Sequence, residues 1–144
     1  MLRDLIRNIS TGIEAINFKG MNIGVVDERG EIAAASGGVI HNNVGSLTSV
    51  IDNAPKAEGI MCVLRSMNPD VIITDEIGTI DDAKAIISGV LSGAKMICSA
   101  HGKSLSDVSE KYGIKELIKQ KVFERVIVLS RKEGPGTIEE IIKL

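Results

Sequence analysis

The chain has 144 residues, of which 44% are hydrophobic and 25% are charged. This apolar content is enough for one core, so we expect a single domain. A net charge of -2 and only three aromatic residues (one Tyr and two Phe) disfavour general nucleic-acid binding. No apolar run has the length of a membrane span and no signal peptide is recognisable, which predicts a soluble, intracellular protein. Cys62 and Cys98 lack metal-ligand spacing and are predicted to be buried, reduced thiols.

Helical and strand patterns alternate along the chain. Leu2, Leu5, Ile6 and Ile9 share one face of an N-terminal helix. Further helices are predicted over 55–67, over 81–91 and from Ser104 to 120 with a break at Gly113, and strands over 22–26, 71–74, 95–99 and 126–130. The strands are continuous apolar runs, typical of strands buried on both faces. The pattern therefore predicts an α/β fold: a parallel sheet with helices on both faces.

Polar residues follow every predicted strand. The four clusters are Asp27-Glu28-Arg29, Asp75-Glu76, Ser99-Ala100-His101 and Ser130-Arg131-Lys132. Because the carboxyl ends of parallel strands lie at one edge of a sheet, we expect all four clusters to meet in one crevice.

Crowded carboxylates need a hard cation or a positive side chain to neutralise them, and Mg²⁺ binds through one or two carboxylates together with phosphate oxygens and water. The segment from Val71 to Glu76 is an apolar strand followed by two acids, which is a Walker B pattern. It predicts that Asp75 holds Mg²⁺ and that Glu76 orients or deprotonates an attacking water.

Several longer blocks are unusual in combination. They are VVDERGEIA at 25–33, APKAEG at 54–59, LRSMNPDVI at 64–72, TDEIG at 74–78, SAHG at 99–102, FER at 123–125, LSR at 129–131 and GPGT at 134–137. Together they closely resemble the stage III sporulation protein AA family, a branch of the P-loop ATPases similar to the motors of type II and type IV secretion systems. The resemblance extends from Leu2 to Glu140.

This resemblance implies a RecA-like ATPase core that assembles into a homo-oligomer, a hexameric ring. It implies hydrolysis of ATP with Mg²⁺ to energise a channel between mother cell and forespore, with other sporulation channel proteins as partners. The expected location is cytoplasmic, peripheral at the membrane of the mother cell, and no nucleic-acid partner is expected.

The resemblance also implies roles for individual residues. Asp75 is the metal-associated acid, Glu76 the water activator and His101 the strand-end sensor of the γ-phosphate. The acidic box beside the catalytic water corresponds to Asp27 and Glu28. We expect the nucleotide to be contacted by Arg65, here or in a neighbouring subunit, by Asp27, and by Arg131 at the end of the last predicted strand.

The chain departs from the family pattern where a P-loop should stand. No G-x-x-x-x-G-K-[ST] motif is present, and Gly102-Lys103-Ser104 imitates only its last three residues. Residues 1–144 are therefore predicted to be a single partial domain, a RecA-like core lacking its P-loop strand, with poor nucleotide affinity by itself. Leu47 and Thr79 stand where the family favours Arg.

Removing a central strand exposes ladder edges that need new partners. We expect the strand near Val126 to pair with the strand near Lys95, or another chain to fill the gap.

Two other functions fit the same residues. In a receiver-like phospho-acceptor domain, Asp27 and Glu28 would hold the metal, Asp75 would be the acceptor, Ser99 the switch hydroxyl and Lys132 the phosphate partner. A non-catalytic module for ring assembly or partner binding is the other alternative.

Overall fold

Helices and strands alternate through the computed structural model, which describes all 144 residues. In chain order they are α1 Leu2–Thr11, β1 Gly12–Ile13, β2 Phe18–Lys19, β3 Ile23–Asp27, β4 Thr48–Asp52, α2 Lys56–Ser66, β5 Val71–Glu76, α3 Ile80–Leu91, β6 Lys95–Ser99, α4 Leu105–Ser109, α5 Tyr112–Lys119, β7 Arg125–Ser130 and β8 Thr137–Lys143. No helix combines the length and the apolar character needed to traverse a bilayer.

The central sheet has four parallel strands in the order β4-β3-β5-β6. The predicted α/β fold with a parallel sheet is thereby confirmed. Strand β4 was not predicted, because Thr48, Ser49 and Asp52 interrupt its apolar pattern and it lies half-buried at one edge of the sheet. In contrast, every residue of β3 is buried.

Both faces of this sheet are covered. Val26 and Ile72 pack with buried side chains of α2, α3 and α5 on one face. Val25 and Ile73 face the other way, where Ile6 of α1 and the segment between β3 and β4 cover them. Successive strand residues point to opposite faces, so these near-continuous apolar strands need cover on both sides.

Two glycines let α2 approach the sheet closely. A Cβ atom on Gly24 would lie 2.2 Å from a Cγ atom of Val63, and one on Gly59 would lie 2.5 Å from a Cγ atom of Val26. Larger residues at either position would push the helix outward. The close contact sets the depth at which the first residue of α2 meets the carboxyl edge of the sheet.

The last predicted strand does not join the central sheet. It forms β7, which pairs antiparallel with β8 in a separate two-stranded sheet, so the predicted pairing with the strand near Lys95 is wrong. Gly134 and Gly136 adopt positive φ angles of 122° and 88° in the connecting turn, a conformation that glycine adopts at little cost. β7 alternates exposed and half-buried residues, as expected for a hairpin strand and not for a central one.

Two local predictions also need correction. The break in the last helical region falls between Ser109 and Tyr112, whereas Gly113 lies inside α5, where a Cβ would meet the Thr79 carbonyl oxygen at 2.5 Å. Cys62 is exposed on the outer side of α2 and not buried as predicted, and Cys98 is partly buried.

Candidate functional site

A cavity of about 610 Å³ lies at the carboxyl edge of the central sheet. Asp75 and Glu76 at the end of β5 line it, together with Ser99 and His101 at the end of β6. The first two turns of α1, the loop after β3 and the start of α2 complete the wall. Three of the four predicted clusters therefore contribute residues to one cavity, with Arg29 coming from the first.

The fourth cluster does not reach this cavity. Because β7 belongs to the separate hairpin, Arg131 is exposed at its turn and lies outside the cavity lining. Lys132 pairs within the same hairpin, 2.6 Å from a carboxylate oxygen of Glu139. The predicted convergence of all four strand ends is thus wrong for the last of them.

Lys56 is the central charged group of the site. Its side chain is 5% exposed, and its Nζ lies 2.7 Å from Oδ1 of Asp75 and 3.0 Å from Oε2 of Glu28. The Asp75 side chain is 9% exposed, whereas the Glu28 side chain is 42% exposed. One ammonium therefore bridges Asp75 at the end of β5 and Glu28 in the loop after β3.

These contacts keep Lys56 charged. Burial by itself lowers the pKa of Lys56, but hydrogen bonds to Asp75 and Glu28, with their negative charges, outweigh it and raise the pKa above 10.5. The two carboxylates offset the cost of removing the Lys56 ammonium from water, and a buried ammonium stays charged only with such partners.

Sequence reasoning assigned no role to Lys56. A signal was available, because a lysine in the first turn of a helix meets the positive end of the helix dipole and gains nothing from it. A cation directly after Pro55, at the first position of α2, therefore indicates an acidic partner elsewhere in the fold. Which acid it meets depends on the close packing of α2 on the sheet.

Asp27 has a structural position. It is fully buried, and its carboxylate accepts hydrogen bonds from the backbone N–H groups of Ile32 and Ala33 at 2.8–3.1 Å. These bonds fold the loop that follows β3 back over the strand end. Asp27 does not line the cavity, whereas Glu28 reaches its wall through Lys56.

Arg65 lies away from the site. It is exposed near the end of α2, on the outer surface of the helix with Cys62. Thr79 caps α3 in a capping box with Asp82, and Leu47 is 45% exposed ahead of β4. None of these residues contributes to the cavity lining.

The loop after β6 is held by its own helix cap. The Ser104 hydroxyl oxygen accepts a hydrogen bond from the Asp107 backbone N–H, and the Asp107 carboxylate accepts one from the Lys103 backbone N–H. The His101 carbonyl accepts a hydrogen bond from Lys111. Gly102-Lys103-Ser104 thus lies between strand β6 and the short α4, with Ser104 as the N-cap of that helix.

The donor set fits Mg²⁺ as a metal held by one or two carboxylates, with water or phosphate oxygens as its other ligands. No group of three or more His, Cys, Asp and Glu side chains is arranged to hold a metal. Mg²⁺ does not require one, since it retains water and takes one or two carboxylates along with phosphate oxygens. Asp75 would be the carboxylate that holds it, and when bound the metal would neutralise charge on the phosphate oxygens.

Comparisons with known proteins agree with the sequence blocks. A family model described as Sporulation stage III, protein AA matches residues 1–143. The chain is 43% identical over 141 residues to Stage III sporulation protein AA of Bacillus subtilis (strain 168). The aligned region covers 98% of this chain and 45% of that relative, so the chain spans less than half of the relative's length. On these matches, the chain belongs to the sporulation stage III protein AA family.

Proposed function

We propose that this chain supplies the catalytic edge of a sporulation ATPase. The observation that carries the proposal is the single cavity that brings together Asp75, Glu76 and His101 with the amino end of α1. Its volume of about 610 Å³ is in the range of small-molecule sites. Acids for a metal and a water, beside donors for phosphate, are the groups that phosphoryl transfer needs.

Cationic side chains in the same cavity offer contacts to a polyphosphate. Arg3, Arg7 and Arg29 line the cavity with Lys56, and the amino end of α1 adds the partial positive charge of a helix terminus. Nε of Arg3 donates to the Ile32 carbonyl at 3.1 Å, which ties α1 to the loop anchored by Asp27. The three arginines are thereby held on two elements that pack together.

Each acid has a distinct task in this proposal. Asp75, held by Lys56 in a nearly dry position, is the carboxylate for the metal. Glu76 is half-buried at the cavity wall and accepts the proton of the attacking water. His101, exposed on the neighbouring loop, donates a hydrogen bond to a terminal phosphate oxygen. Positioning and charge stabilisation of this kind supply most of the catalysis in phosphoryl transfer.

The remaining elements of the proposal concern the whole protein. A hexameric ring, partners in a sporulation channel and a place at the mother-cell membrane follow from the resemblance to secretion motors. Because the chain covers 45% of its relative, we assign these properties to the longer protein. The phosphate cradle that this chain lacks would come from outside the 144 residues.

ATP turnover tests the proposal. The 144-residue chain is compared with the same chain joined to the P-loop segment of its relative, with and without Mg²⁺. We expect Mg²⁺-dependent turnover only in the extended form, and a loss of at least ~100-fold in Glu76→Gln, as for removal of a general base. Glu133→Gln is the matched control, since Glu133 lies at the exposed turn of the β7–β8 hairpin. Turnover that survives Glu76→Gln would refute the catalytic assignment.

A receiver-like phospho-acceptor is the second candidate. The order β4-β3-β5-β6 is the 2-1-3-4 order of flavodoxin-like sheets, and a lysine does contact Asp75. Against it, the Asp27 carboxylate is occupied by backbone N–H groups and Lys132 pairs in the hairpin. Incubation with acetyl phosphate followed by intact mass measurement separates the candidates, because an adduct lost in Asp75→Asn would favour the receiver.

A further inference from the structure

Lys56 occupies the position that a divalent cation at Asp75 would need. Its Nζ is 2.7 Å from Oδ1 of Asp75, and the Thr74 hydroxyl lies 3.4 Å from the same oxygen. Two carboxylates surround this one ammonium, so the group carries surplus negative charge even with the lysine in place. It therefore attracts a second cation.

An ammonium and a metal ion exclude one another at this carboxylate. Two positive charges within hydrogen-bond distance in a nearly dry position repel strongly, because little water is present to screen them. A hard divalent cation also forms a stronger contact with the carboxylate than a single N–H donor does. Binding of the metal thus requires that Lys56 withdraw from Asp75.

The Lys56 side chain has space to move away from Asp75. It lines the cavity, and its four-carbon stem is flexible while its backbone is fixed at the first turn of α2. Glu28, at 42% exposure, is free to remain its partner during the movement. Withdrawal from Asp75 therefore carries the ammonium toward the cavity interior.

We propose that Lys56 is a resident counter-ion that exchanges with a divalent cation at Asp75, and that the exchange releases the ammonium to contact a phosphate oxygen in the same cavity. The exchange itself stands on the contacts of Lys56. Its second half, the phosphate contact, rests on the proposed function. Lys56 thus controls access of the metal to Asp75 and, once released, contacts the anion.

Mn²⁺ titration of the 144-residue chain without nucleotide tests the exchange, read by electron paramagnetic resonance of free Mn²⁺. Removing the competing charge in Lys56→Met should tighten Mn²⁺ binding by about tenfold or more, the effect of a like charge at this distance. Asp75→Asn should abolish this gain. Lys84→Met is the matched control, because Lys84 forms an exposed pair with Asp81. Mn²⁺ binding that is no tighter in Lys56→Met than in the control would overturn the proposal.

A second variant keeps the test decisive if Lys56→Met does not fold. Lys56→Arg retains the charge and grips a carboxylate with two donors, so Mn²⁺ affinity should stay at the wild-type value or fall. Tighter binding in Lys56→Arg would overturn the exchange.

The phosphate contact is tested with pyrophosphate, whose affinity should rise when Mg²⁺ is added to the wild type and rise less in Lys56→Met. An equal rise in both proteins would refute the phosphate contact. Since the Mn²⁺ titration contains no nucleotide, a chain that exchanges cations but hydrolyses no ATP in its extended form would contradict only the proposed function.

Discussion

The Lys56–Asp75 pair makes a quantitative prediction about stability. Both side chains are nearly dry, at 5% and 9% exposure, and their charged atoms are 2.7 Å apart. Removing one partner of a buried pair leaves an uncompensated charge, which costs about 3–5 kcal/mol. Lys56→Met should therefore lower the free energy of unfolding by this amount, whereas Lys84→Met, at an exposed pair, should cost at most about 1 kcal/mol.

Urea unfolding followed by circular dichroism measures the difference. With an m-value of about 2 kcal/mol/M for a domain of this size, the midpoint should fall by about 2 M in Lys56→Met and by less than about 0.5 M in Lys84→Met. Asp75→Asn combined with Lys56→Met should recover much of the loss, because neither charge is then left alone. Equal midpoints for Lys56→Met and Lys84→Met would refute the reasoning, since the ammonium would then be solvated and not bound in the sheet edge.

The same pair has a signed pH dependence. The pKa of Lys56 is raised above 10.5, so the folded state holds this proton more tightly than the unfolded state does. Its contribution to stability is complete below pH 10.5 and is lost as the pH rises through the folded pKa. Loss of this contribution near neutral pH would contradict the assignment.

Three further predictions concern packing, thiols and a helix cap. Gly24→Ala should destabilise the fold by about 1–3 kcal/mol in urea unfolding, because the new Cβ would lie 2.2 Å from a side-chain carbon of α2; Gly78→Ala, with open space around it, is the control and should change little. Maleimide at pH 8 should label Cys62 alone in the native chain and both thiols in urea, since burial raises the pKa of Cys98 to about 12; fast labelling of Cys98 in the native chain would contradict this expectation. Because the pKa of Cys98 is raised from 9.0 in the folded state, the free energy of unfolding should fall as the pH rises above 9. Thr79→Ala should cost about 1 kcal/mol through loss of the α3 capping box, and an unchanged thermal midpoint would show that the cap contributes nothing.

The local patterns allowed much of the fold to be predicted. Strands β3 and β5 are rich in Val and Ile, β6 contains the apolar run Met96-Ile97-Cys98, and Asp81 and Asp82 mark the start of α3. Strand β4 escaped detection because a short, half-buried edge strand needs little apolar character. The strand near Val126 was correctly predicted as a strand but assigned to the wrong sheet, because an apolar run does not specify its partner.

Part of the candidate site could also be predicted. Asp75 and Glu76 end strand β5 and His101 follows β6, so the parallel sheet places them at one edge independently of the loop conformations. Asp27 and Arg131 were placed by the same rule, but one turns inward to hold its own loop and the other belongs to the hairpin. Arg65 was placed only by resemblance, and it lies on the outer side of α2.

The sequence by itself determined the parallel α/β core, the acids at the end of β5 and the family, because each depends on residues close together along the chain. Only the tertiary structure decided that Lys56 bridges Asp75 and Glu28. That contact joins residues from three separate segments, and it forms because Gly24 and Gly59 allow α2 to pack closely against the sheet. Charge pairing between distant segments is fixed by packing depth, a property that no local pattern of residues contains.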